Sequence, residues 1–133
     1  MKLFLDANIL FSASNAASAT RILFDAALHY ADECLINPHT FAESRRNIDA
    51  KQPNLAAEFK HLTRHLKISH TFAENLAVDL PQADIPVLAG AAGARCTHLW
   101  TGDKKHFGKY FGKKVHGTLI VSHILLAEIL CDM

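Results

Sequence analysis

Four acidic residues spread along the chain carry the chemistry this sequence can do. Asp6 closes the apolar run Lys2–Leu5, and Asp103 follows the apolar stretch Thr97–Thr101 across a single glycine. Asp84 stands where a helix is expected to begin. Glu43 lies in a helix expected after a second apolar run, Cys34–Ile36. In a parallel α/β sheet, ligands bind beyond the carboxyl ends of the strands, so the four side chains are expected to converge on one edge. Carboxylates packed together repel one another, and their pKa values rise unless a cation balances them. Hard oxygen ligands suit Mg²⁺ or Mn²⁺, and metal-assisted phosphodiester hydrolysis is the chemistry such a cluster supports.

Each acid also has a plainer structural reading. Asp84 is a good helix N-cap, which is worth about 1 kcal/mol. Asp103 after Gly102 suits a tight turn, and Asp6 suits a turn at a strand end. Glu43 lies roughly 160° around its helix from Phe41, as a solvated residue would.

The elements that must position these acids follow from hydrophobic spacing. The run Lys2–Leu5 reads as a strand buried on both faces, followed by a polar loop through Ser12, Ser14 and Asn15. Ala19, Ile22, Leu23, Ala26, Ala27 and Tyr30 recur at helical spacing. Asn37-Pro38 reads as an N-cap with proline at the first helical position, opening a helix to about Lys51. Pro53 starts a further helix with Leu55, Phe59, Leu62 and Leu66 on one face, and the stretch from Lys67 to Asp79 has no assigned element. A helix from Asp84 to Gly93, strands at Thr97–Thr101 and Thr118–Ser122, and a closing helix over Ile124–Leu130 complete the pattern. Strands alternating with helices predict an α/β fold with a mainly parallel central sheet, and no composition break divides residues 1–133, so a single domain is expected.

These motifs resemble those of PIN-domain ribonucleases, a family that includes the toxin halves of bacterial toxin–antitoxin pairs. Leu5-Asp6-Ala7-Asn8-Ile9-Leu10 is similar to the family's first motif, a strand-end Asp followed two residues later by Asn. Phe41-Ala42-Glu43 resembles the stretch carrying its helical Glu, and Ala83 to Ala89 resembles its third acidic motif. The segment from Thr97 to Phe107 resembles the strand–Thr–x–Asp–x–x–x–Phe signature, and the likeness covers essentially the whole chain in order.

The resemblance implies a three-layer α/β/α sandwich, one or two Mg²⁺ or Mn²⁺ ions, and hydrolysis of RNA. It implies that Asp6, Asp84 and Asp103 hold the metal, with Glu43 completing the ligand set or orienting the attacking water. Asn8, Ser12 and Thr101 are candidates to hydrogen-bond water, phosphate or a carboxylate. Lys104, Lys105 and His106 are candidates to contact the RNA. Some relatives carry a further acid just after the last Asp; here Lys104, Lys105 and His106 occupy that neighbourhood, which puts a second metal ion in question. If the chain is a toxin, an antitoxin segment is expected to cover the acidic groove, with an Arg between the carboxylates. A homodimer is the other partner the family suggests.

Competing readings lack their signatures. A haloacid-dehalogenase-type phosphatase needs a second Asp where Asn8 stands. A response-regulator receiver wants adjacent acids early in the chain, and a Rossmann binder needs a glycine-rich loop after the first strand. The alternative from another class is a catalytically silent RNA-binding or protein-interaction module, against which stands the presence of all four acids. His61 and His65 are spaced as zinc ligands can be, but they lie about 80–120° from the apolar stripe with no evident third ligand, and they read as surface histidines.

Fourteen Lys and Arg against thirteen Asp and Glu give the chain a formal charge of +1. That excludes a whole-chain polyanion magnet, an acidic tail and a highly charged disordered chain. Distribution matters more than the total. Setting the four clustered acids apart from the thirteen leaves nine acidic residues against fourteen basic ones, and Lys104, Lys105, Lys109, Lys113 and Lys114 follow Asp103 with no acid before Glu128. Such a stretch suits a phosphate backbone. Asp6 cuts the first apolar run short of a signal-peptide core, and the apolar stretch His123–Cys131, interrupted by Glu128, is too short to cross a bilayer. Three widely spaced cysteines, Cys34, Cys96 and Cys131, form no disulfide or zinc pattern. They are expected to be small buried residues in a reducing cytoplasm.

Overall fold

Successive side chains of a strand point to opposite faces, and the strands here are apolar on both. Leu3 and Leu5 of strand β1 (Lys2–Leu5) join one apolar cluster and Phe4 joins another. The same division separates Cys34 and Ile36 from Leu35 in β2 (Glu33–Ile36), Trp100 from Leu99 in β4 (His98–Trp100), and Val121 from Ile120 in β6 (Thr118–Val121). A sheet apolar on both faces must be covered on both. The computed structural model, which describes residues 1–133, shows it so covered.

With β3 (Lys67–Ile68) and β5 (Lys114–Val115), the strands form one six-stranded sheet in the order β3-β2-β1-β4-β6-β5. All neighbours are parallel except β5 and β6. Their two-residue connection, His116-Gly117, has φ angles of 49° and 85°, the two positive values a tight hairpin needs. Helices α1 (Ala7–Ala13), α2 (Ala19–Tyr30), α3 (Pro38–Lys51), α4 (Ala56–Thr63) and α7 (His123–Cys131) supply the core on one face. Helices α5 (Ile85–Gly93) and α6 (Lys104–Phe107) cover the other with Val87, Leu88, Ala91 and Phe107. The expected α/β/α sandwich with a mainly parallel sheet is the fold observed.

Several local expectations are corrected. The segment after Asp6 is a helix, α1, which includes Ser12; the loop begins only at Ser14. Its Ile9, Leu10 and Ala13 are buried against the sheet, so tertiary burial stabilises a helix too short to be stable alone. The helix after Pro53 begins as a 3₁₀ turn, Pro53–Leu55, and ends at Thr63, so Leu66 is buried from the connection that follows and not from the helix face. Asp103 opens α6 where a tight turn was expected. Cys34 and Cys96 are buried, but Cys131 is exposed: it lies on the same outward side of α7 as Ile124, itself 72% exposed, while Leu126 and Leu130 face the core. No helix is long and apolar enough to cross a membrane.

Helix α3, which carries Glu43, is tied at its start to α5, which follows Asp84. Asn37 Oδ1 accepts the backbone N–H of Thr40 at 2.9 Å, and Thr40 Oγ1 accepts that of Asn37 at 3.0 Å, a reciprocal cap. Asn37 Nδ2 donates to the Pro86 carbonyl at 3.1 Å. The space for this bridge exists because residue 90 is glycine: a Cβ there would overlap Asn37 Nδ2 and lie 3.0 Å from Phe4 Cζ. Gly90→Ala is therefore expected to destabilise the protein by about 2–4 kcal/mol, combining overpacking with loss of a cap, although glycine-to-alanine changes in helices ordinarily stabilise. Chemical denaturation measures this, and an unchanged or raised midpoint would show that the Asn37 bridge yields without cost.

Candidate functional site

Strand order reverses at β1: the chain steps outward through β2 and β3, then crosses to β4 on the other side. The crevice beyond the ends of β1 and β4 is the topological switch point, where open α/β sheets bind ligands. The register Leu3↔His98, Phe4↔Leu99, Leu5↔Trp100 places Asp6 level with Thr101. Thr101 Oγ1 donates to Asp6 Oδ2 at 2.8 Å, Asn8 Nδ2 donates to the same oxygen at 3.2 Å, and Ala7 N–H donates to Oδ1 at 2.7 Å. Asn8 Oδ1 in turn accepts Gly102 N–H at 2.9 Å, and Thr101 Oγ1 accepts Asp103 N–H at 3.1 Å. Asn8 and Thr101 thus tie the loop after β4 to the start of α1, and Thr101 itself is fully buried.

The other end of the site is built from α5 and α6. Asp103 Oδ1 caps α6 by accepting His106 N–H at 3.1 Å, while its Oδ2 faces His106 Nδ1 at 2.8 Å. Asp84 stands at the N-cap position of α5 but accepts no capping bond; its backbone is helical there, at φ −94° and ψ −14°. The capping role expected for it is therefore not the one it performs. Its Oδ2 lies 2.9 Å from the same His106 Nδ1. One donor atom each from Asp84, Asp103 and His106 falls within 4.8 Å of the others, a grouping able to hold a metal ion.

A groove joins the two ends, lined by Asp6, Asn8, Glu43, Asp84, Asp103 and His106. All four acids picked out in the sequence line it. Ser12 does not; only its carbonyl is engaged, accepting Ser18 Oγ at 2.8 Å. Lys104 and Lys105 are exposed on α6 outside the groove, and Lys109 pairs with Asp79 at 2.6 Å. The basic stretch therefore flanks the groove without entering it. The cation that does line it is Lys51, at the end of α3, with Asn47 one turn before and Phe11 of α1 opposite. Lys51 Nζ lies 6.0 Å from the Phe11 ring centre and pairs with no carboxylate. Sequence reasoning missed Asn47 and Lys51, yet both follow from Glu43 at four-residue steps, the spacing that puts side chains on one helix face.

Burial and mutual repulsion set the electrostatics of the groove. Burial pushes the Asp6 carboxyl up to about 6, against the lowering effect of its bonds from Thr101 and Ala7, and Glu43 and Asp84 raise it further. Asp84 is raised too, first by burial and then by Asp103 and Glu43, with His106 and His39 acting the other way. His39 Nε2 is buried without a hydrogen-bond partner. Four carboxylates, two of them (Asp6 and Asp84) costly to ionise without a cation, and an imidazole beside them form a donor set that fits a divalent ion.

The Asp6 value has a consequence for stability. A carboxyl whose folded value exceeds its ordinary 3.8 binds more protons folded than unfolded, so its contribution falls as pH rises through about 4 to 6. That gap is equivalent to about 3 kcal/mol. In metal-free buffer, the stability of Asp6→Asn relative to the natural protein is expected to increase by about that amount between pH 3.5 and pH 7.5. Urea denaturation at both pH values measures it, and a difference that does not change with pH would mean that ionising Asp6 carries no such cost.

No protein-family model matches the chain, and no curated protein sequence matches it. Among solved structures, a chain in the crystal structure of VapBC2 from Rickettsia felis bound to a DNA fragment from its promoter superposes with a TM-score of 0.69 at 14% identity. The match covers 92% of this chain and 98% of that one. At that identity the likeness is one of fold, and it extends over almost the whole of both chains. The architecture is the PIN-like α/β/α sandwich that the four acidic motifs resemble.

Proposed function

We propose that the chain is a metal-dependent endoribonuclease that hydrolyses RNA phosphodiester bonds, as the toxin of a bacterial toxin–antitoxin pair acting in the cytoplasm. The observation that carries this reading is the convergence of Asp6, Glu43, Asp84 and Asp103 on one groove at the switch point of the sheet. These four side chains are the candidates to hold Mg²⁺ or Mn²⁺. When bound, such a cation lowers the pKa of the water it holds and stabilises charge developing on the phosphoryl oxygens. Thr101 and Asn8 fix the Asp6 carboxylate from behind. Glu43, whose side chain has no hydrogen-bond partner among the protein groups, would complete the ligand set or orient the attacking water. Asn47 and Lys51 continue the same face of α3 away from the acids, where Lys51 meets a neighbouring phosphate.

The role as a toxin is supported by the resemblance of the motifs and by a structural neighbour that comes from the VapBC2 assembly. The same reading includes a cognate antitoxin covering the groove and a homodimer.

Purified protein is expected to cleave single-stranded RNA with Mg²⁺ or Mn²⁺ and to lose the activity with EDTA. Asp6→Asn and Asp103→Asn are expected to reduce the rate by roughly a hundredfold or more. Absence of cleavage by the natural protein, or rates in both variants equal to that of the natural protein, would overturn the enzyme reading in favour of a silent module. Lys51→Ala is expected to weaken RNA binding and to make the logarithmic salt dependence shallower by about 0.7, the share of one phosphate contact on a single strand. Fluorescence anisotropy across a salt series reads that slope, and an unaltered slope would remove Lys51 from the RNA path.

A further inference from the structure

Two carboxylates from separate segments meet on one ring nitrogen. His106 sits one turn into α6, so its ring folds back toward Asp103, the residue that caps that helix. Asp84 arrives from the start of α5, its carboxylate free of any capping bond. His106 Nδ1 is 2.8 Å from Asp103 Oδ2 and 2.9 Å from Asp84 Oδ2, and donor atoms of all three residues lie within 4.8 Å of one another. The arrangement is anchored on both sides. Asp103 Oδ1 is held by the cap bond, and the imidazole is about one-third exposed, open to exchange with solvent.

We propose that His106 is itself a ligand of the divalent cation, giving with Asp84 and Asp103 a two-carboxylate, one-imidazole site that selects Mn²⁺ over Mg²⁺. This rests on the reading of the groove as a metal site and sharpens which ion it takes. Mg²⁺ favours oxygen ligands and retained water in strict octahedral geometry. Imidazole nitrogen adds affinity for first-row transition ions, while carboxylates suit Mn²⁺ as well as Mg²⁺. The donor set of Asp84, Asp103 and His106 is thus mixed where an all-carboxylate site would not discriminate. A solely structural role, with His106 bridging the two acids, makes the opposite forecast: the ring would compete with any cation for the same two oxygens.

Isothermal titration of the full chain with MnCl₂ and with MgCl₂, together with pulsed EPR of the Mn²⁺-loaded protein, separates the two. The natural protein is expected to bind Mn²⁺ at least tenfold tighter than Mg²⁺ and to show ¹⁴N coupling from a directly bound imidazole. His106→Ala is expected to lose that coupling and about tenfold or more in Mn²⁺ affinity, with Mg²⁺ affinity changed little. His106→Gln, which restores an oxygen donor and keeps the backbone N–H that Asp103 caps, is expected to narrow the preference between the two ions. The proposal is overturned if the natural protein shows no ¹⁴N coupling, or if His106→Ala binds both ions as tightly or more tightly. Failure of the natural protein to bind either ion would overturn the metal-site reading and the proposal together. Metal binding with the coupling present but no RNA cleavage would overturn the ribonuclease reading alone.

Discussion

A carboxylate that is 3% exposed, at the end of a central strand, sets the terms for the rest of this molecule. An isolated buried charge is among the costliest features a fold can carry, and Asp6 is made tolerable by three donors aimed at its two oxygens. Two of those donors come from the α1 start, and the third comes from Thr101, distant in sequence and adjacent only because β1 pairs with β4. A one-residue slip between these strands would turn Thr101 away from Asp6 and exchange the two apolar faces of the sheet at once. The demand of the buried acid and the demand of the core therefore specify the same register.

The acids divide their oxygens between structure and chemistry. Asp103 uses Oδ1 to cap a four-residue helix that its position alone would hardly stabilise, and leaves Oδ2 to the groove. Asp6 gives Oδ1 to the first N–H of α1, and its Oδ2 is steadied by Thr101 and Asn8. The Asp84 carboxylate gives no bond to the helix it precedes; only its backbone carbonyl does, accepting Val87 N–H at 3.2 Å. Its Oδ2 turns instead to His106 Nδ1, while the bond from Asn37 to the Pro86 carbonyl ties the first turn of α5 to α3. The α3–α5 bridge thus fixes where α5 begins, and the carboxylate that an ordinary N-cap would consume stays free for the groove.

The strand ends were legible in the sequence because apolar runs followed by an acid are unusual in a sheet buried on both faces. Glu43 was legible only through its place in the order of motifs. What escaped was short or decided by tertiary contact. Ile9-Leu10-Phe11 following Asp6 carries no more than two helical turns of pattern, too little to distinguish α1 from a loop, and β3 and β5 are two-residue strands whose pairing depends on their neighbours. Whether Asp84 would cap α5 was likewise beyond local reading, since the competing partner, His106, lies far along the chain.

Charge distribution follows from the same arrangement. A groove holding four acids would repel a phosphate backbone if nothing offset them, and the exposed lysines of α6 stand outside it. Lys51 is the exception: near the carboxyl end of α3 the helix dipole favours a cation, and the aromatic face of Phe11 accommodates it without a carboxylate partner. Pairing Lys51 with Glu43 would have neutralised both. Two turns along α3 separate them by about 12 Å, beyond the reach of an ion pair. The separation leaves the acid end of the groove for a cation and the lysine end for a polyanion, so that one helix presents both charges to one substrate without letting them cancel.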